Sequence, residues 1–157
     1  MILMKVGKDA IKGESMLEGY KDWINIDTMG FGVGRHIQTT NDNRTASQPG
    51  VSEISLTRGM DGASTELYFQ SVGGGSLGDV EIHVVETGNG TKPQVTTKLI
   101  LSNSIITSFS SSSSGDRPLE SISLNFTKMS WEVFKWTGDK SSSSGVLTYD
   151  LTTGQQA

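Results

Sequence analysis

A period of two dominates the apolar pattern of this chain and points to strands with one buried face. Between Asp79 and Thr87, Val80, Ile82 and Val84 fall on one side, and Glu81 and His83 on the other. Between Val95 and Leu101, Val95, Thr97, Leu99 and Leu101 alternate with Thr96, Lys98 and Ile100. Between Glu120 and Lys128, Ile122, Leu124 and Phe126 alternate with small polar residues. Ile24 with Ile26, and Ile54 with Leu56, mark two further strands. This rhythm predicts an all-β, mainly antiparallel fold. Ser and Thr fill the other faces: 22 Ser, 16 Thr and 19 Gly make up about a third of the 157 residues.

The pattern breaks in two places. Ile122, Leu124 and Phe126 are even-numbered, whereas Met129, Trp131 and Val133 are odd. Such a slip near Lys128 needs a bulge, a bend or a new burial partner. It marks either a strand that passes from one sheet into another or one whose far end is buried against another subunit. The second break is helical. Ala63, Leu67, Tyr68 and Val72 have helical spacing, Ser64 can cap the first turn, Glu66 suits the helix N-terminus, and Gly73-Gly74-Gly75 ends the helix. The helix is expected over an open end or face of the sheets.

Three segments read as loops: Gly32 to Gly50, Ser110 to Gly115, and Gly138 to Gly145. The first is long for a compact domain and so a candidate for function. Gly88-Asn89-Gly90 suits a hairpin turn. No domain boundary is visible, so residues 1–157 are expected to form one domain.

Composition narrows the function. The chain has no Cys, which excludes thiol nucleophiles, disulfides and thiolate metal sites. A net charge of −4 argues against general nucleic-acid binding. No apolar stretch is long enough for a membrane helix, and the N-terminal run Met1-Ile2-Leu3-Met4 is too short for a secretory signal. Neither histidine, His36 or His83, sits in a nucleophile-elbow context, and Gly32-Val33-Gly34 lacks the third glycine of a dinucleotide loop. No catalytic residue, cofactor or metal ligand is assigned. Trp23 is out of phase with Ile24 and Ile26, so it lies on the second face of its strand, covered either within the chain or by a neighbouring subunit. A β-sandwich module binding carbohydrate through Trp23 or Trp136 is the alternative function.

Several blocks in order carry a family resemblance. Ile11-Lys12-Gly13-Glu14-Ser15 precedes Trp23-Ile24-Asn25-Ile26. Asp61-Gly62-Ala63-Ser64-Thr65-Glu66-Leu67 opens the helix, with Thr65 where the family has Pro. Leu101-Ser102-Asn103-Ser104-Ile105-Ile106 is followed by Gly115-Asp116-Arg117-Pro118-Leu119-Glu120, and Trp136 to Lys140 makes a late hairpin turn. Together they resemble the haemolysin-coregulated protein (Hcp) family, the tube subunit of type VI secretion. The resemblance implies a two-sheet β-barrel or sandwich with one short helix alongside. It also implies homo-hexameric rings stacked into a tube, no catalytic site, and export from the bacterial cytoplasm without a signal peptide. Partners would be type VI effectors in the lumen and the sheath and spike proteins, with no membrane insertion. On this reading the long loop docks ring on ring through Gly34, Arg35, His36, Asn41, Asp42, Asn43 and Arg44. Trp23, Trp131 and Met129 are candidate lateral contacts, with Trp23 and Trp131 taken as second-face aromatics.

Overall fold

The computed structural model describes residues 1–7, 11–40, 43–88 and 92–156. Asn41, Asp42 and most of the turn expected at Gly88-Asn89-Gly90 lie outside the described residues. Two antiparallel sheets carry the fold. One holds β1 (Ile2–Val6), β2 (Ile24–Ile26), β9 (Val80–Glu86), β10 (Gln94–Ser102), β13 (Lys128–Thr137), β14 (Lys140–Asp150) and β15 (Gln155–Gln156). Its order is β15-β14-β13-β10-β9-β1-β2. The other holds β3 (Thr28–Gly30), β8 (Ile54–Gly59), β11 (Ile105–Ser112) and β12 (Leu119–Asn125), in the order β11-β12-β8-β3.

Besides the β8–β9 connection through the helix, three short crossings tie the sheets together. β12 ends in the four-stranded sheet at Asn125, and β13 starts in the seven-stranded one at Lys128. The phase slip is therefore a change of sheet. It lets Phe126 and Met129, on opposite phases, both enter the core. Beside it, β10 becomes β11 through Asn103, at φ 51°, and fully buried Ser104, whose hydroxyl donates to Leu101 O at 3.2 Å. The third crossing runs from β2 to β3 at Asp27, whose N–H donates to Thr57 O at 2.8 Å. Between the sheets, Met4, Ile24, Ile54, Leu56, Ile82, Leu99, Leu101, Ile122 and Leu124 form one core.

The barrel does not close on its own strands. Helix α1 (Ser64–Gly73) lies against β11, an outer edge of the four-stranded sheet, and inserts Ala63 and Leu67 into the core. Its start differs from the expected Ser cap. Ser64 is already helical, and its hydroxyl accepts from Asp61 N–H at 3.0 Å. Asp61 Oδ1 in turn accepts from Ala63 N–H at 2.8 Å, so the polar lock sits three residues earlier. Gly74, at φ 65°, ends the helix as expected.

Two expected loops are built as strands, and the first half of the third, Ser110 to Ser112, is the paired end of β11. Gly32 to Gly50 forms a β-arm: β4 (Val33–Gly34) pairs with β7 (Gly50–Val51), and β5 (Ile37–Thr40) with β6 (Asn43–Ala46). The late Ser run, Ser141 to Ser144, lies within β14, with Ser141 to Ser143 paired opposite Trp136 to Phe134. Cross-strand hydrogen bonding to an aromatic-rich partner outweighs the weak strand preference of Ser.

Candidate functional site

The inner face of the seven-stranded sheet runs further than its cover. In register, Leu101 pairs with Met129, Leu99 with Trp131 and Thr97 with Val133, and Trp131 pairs in turn with Leu147. Residues opposite one another share a face, so Met129, Trp131, Val133 and Leu147 all belong to the core side. Trp131 is thus an inner-face residue and not on the second face expected from the sequence. Burial falls steadily along this line: Met129 is 8% exposed, Trp131 42% and Leu147 75%. The four-stranded sheet stops short, and the apolar face continues without it.

A groove of about 510 Å³ opens there. Met129, Trp131 and Leu147 form one wall, and Val33, Arg35 and Pro49 from the root of the arm form the other. Phe31 meets the Trp131 ring edge-on, with centroids 5.5 Å apart. The fold thus brings together Arg35, assigned to stacking from the sequence, with Met129 and Trp131, assigned to lateral contact.

The arm projects beyond this root. Every described residue from Gly32 to Gln48 is exposed. Gly34 pairs with Gly50, Asn43 with Thr40 and Arg44 with Thr39. His36 is tied only locally: its N–H donates to Ser47 Oγ at 3.1 Å and its carbonyl accepts from Ser47 N–H at 2.9 Å. A two-stranded ribbon on its own is marginal in water, so an arm like this is suited to a partner.

Trp23 lies on the opposite, outer face. There Leu3, Tyr20 and Val85 form a second small apolar cluster, with Leu17, Trp23 and Val95 packed against it. Trp23 meets Tyr20 at 4.9 Å and His83 at 4.8 Å between ring centroids. The Tyr20 hydroxyl shares a 3.1 Å hydrogen bond with His83 Nδ1, and His83 Nε2 faces Glu81 Oε2 at 3.5 Å. Burial pushes the His83 pKa below its usual value, aided by Lys98 and opposed by Glu81. Burial, then Glu81, raises that of Tyr20. Trp136 is held too, its indole N–H donating to Val95 O at 2.7 Å. Among the described residues, no group of three or more His, Cys, Asp or Glu is placed to hold a metal ion.

One cluster was missed from the sequence. Arg58 is fully buried and makes ion contacts with Asp61 and, at 3.6 Å, with Glu120. Arg58 and Glu120 are cross-strand partners. Asp61 organises the helix start, and Glu14 Oε1 accepts the next N–H, that of Gly62, at 3.0 Å. The signal was available: Arg58 shares the buried phase of Ile54 and Leu56, and Glu120 that of Ile122 and Leu124. The cluster joins three sequence blocks, around Glu14, Asp61 and Glu120, at one place in the fold.

These are the blocks on which the family resemblance rests, and comparison with known proteins agrees. The family described as type VI secretion system effector, Hcp, matches residues 3–133. The chain belongs to this family. Solved structures share its fold over nearly the whole length. A protein described as a type six secretion system protein superposes with a TM-score of 0.89 at 20% identity, covering 99% of this chain and 98% of that one. Hcp1 from Salmonella typhimurium gives a TM-score of 0.78 at 18% identity, covering 99% and 97%. A type VI secretion system effector from Yersinia pestis gives 0.74 at 22% identity, covering 96% and 99%. No curated protein sequence matches the chain. The two-sheet, single-helix architecture expected for Hcp is the one observed. Among the described residues no helix is long and apolar enough to cross a membrane.

Proposed function

We propose that this Hcp-family chain is a non-enzymatic tube subunit that assembles into hexameric rings, stacks them, and is exported by type VI secretion with small effectors in its lumen. The observation that carries this reading is the uncovered inner face at Trp131, Val133 and Leu147. A core-type apolar face left open on a polar, acidic chain calls for cover by another molecule, and a second copy is the partner present at the highest local concentration during assembly. The exposed arm gives the rings an axial contact. Arg44 and the polar side chains around it form bonds that salt weakens, as a tube that disassembles after delivery requires. Trp23 contributes to the lateral contact through its cluster on the outer face, and Met129 by anchoring the groove floor. Membership of the Hcp family supports export without a cleaved signal and docking to the sheath and spike.

The test is assembly. Native mass spectrometry and negative-stain microscopy at rising concentration should show closed six-membered rings, then short stacks. A strict monomer at high concentration would refute the reading.

A further inference from the structure

Two groups of large exposed apolar side chains among the described residues bear on assembly. One is the groove, with Val33, Trp131 and Leu147 and with Val133 next on the same face of β13, and the other is the outer stripe of α1. On the helix, Tyr68, Phe69 and Val72 fall within one turn of each other on the side away from buried Leu67, at 57%, 68% and 70% exposure. The two patches sit at opposite edges of the four-stranded sheet. The helix flanks β11, whereas the groove lies beyond β3, between the arm root and β14.

We propose that the helix stripe of one copy packs into the groove of the next, Tyr68, Phe69 and Val72 against Trp131, Val133 and Leu147. The inference rests on the ring reading and adds which surfaces meet. A self-matching contact would pair each patch with itself and stop at a dimer; two different patches on opposite sides of one chain make a head-to-tail contact that repeats until it closes. Each contact then covers both exposed faces at once, with Tyr68 already braced edge-on against Phe109 of its own chain, centroids 5.7 Å apart. The charges agree as well: Arg35 lines the groove, and Glu66 flanks the helix stripe.

Because the chain lacks cysteine, engineered pairs report the contact directly. A chain carrying both Phe69→Cys and Leu147→Cys should give, on mild oxidation, a covalent ladder ending at the ring mass, and either change alone should give none. Phe69→Lys or Leu147→Glu alone should weaken ring assembly at least about tenfold, with both in one chain restoring most of it. Both sites are exposed, so circular dichroism should remain unchanged. Rings that form in the native protein while the cysteine pair yields no ladder, and the charge pair no recovery, would overturn this pairing and leave the ring reading standing. Absence of rings in the native protein would overturn both.

Discussion

The barrel body and its β13–β14 end are made from the same strands and meet water differently. Within the body, Leu99, Leu101, Ile82 and Leu124 are covered on the inner face by two sheets of one chain. Two residues beyond buried Met129 on β13, the same face is open at Trp131, and on β14 it is open at Leu147. The difference is where the second layer stops. Local alternation makes a strand, but tertiary closure decides whether its apolar side is core or surface. The body is finished within the monomer; the end of the sheet and the arm are left open to water.

The sharpest contrast is in stability. Arg58→Met would leave the buried Glu120 carboxylate, and Asp61 beside it, without a cation. It should cost about 3–5 kcal/mol in urea unfolding, the range for breaking a buried ion contact from one side. Replacing both Arg58 and Glu120 by apolar residues of similar size should recover much of that loss. In the open region, Leu147→Ala should change monomer stability by less than about 0.5 kcal/mol while still weakening rings. Equal losses at both sites would erase the distinction between body and end.

The arm extends the comparison to a part with no core at all. Deleting residues 37–46 removes β5 and β6, exposed strands that pair with each other, and spares the groove root and the barrel. Rings should persist, measured by native mass spectrometry, and stacking should disappear in micrographs. Tubes of normal length from this variant would remove the arm from axial contact.

The sequence was legible wherever burial alternated. The strands around Ile82, Leu99 and Leu124 announce themselves, and the odd-even slip at Lys128 marks a change of sheet. The arm did not, because strands exposed on both faces have no alternation to read, and Thr and Asn pair there by hydrogen bonding alone. The face of Trp131 is misread from the sequence because the chain changes sheet between β12 and β13, and only the register with Leu99 identifies its side. The buried Arg58 was passed over because a charge on the apolar phase is read as surface unless its opposite, Glu120, is seen across the strand.

The smallest expected effect concerns the outer face, where Trp23 and Tyr20 cover His83. The groups facing its ring are the Tyr20 hydroxyl, Glu81 on the same strand and Lys98, its partner on β10. Burial and Lys98 together outweigh Glu81, so the folded state favours the neutral ring and holds its pKa below the ordinary 6.5. The unfolded chain therefore takes up a proton first as pH falls. The contribution of His83 to stability is full above about pH 6.5 and is lost as pH drops through that value towards the lowered one. Urea unfolding from pH 7.5 to 5 should show a steeper loss for the native protein than for His83→Gln. Identical slopes for the native protein and His83→Gln would place the acid sensitivity outside this cluster and reduce Trp23 and Tyr20 to simple packing.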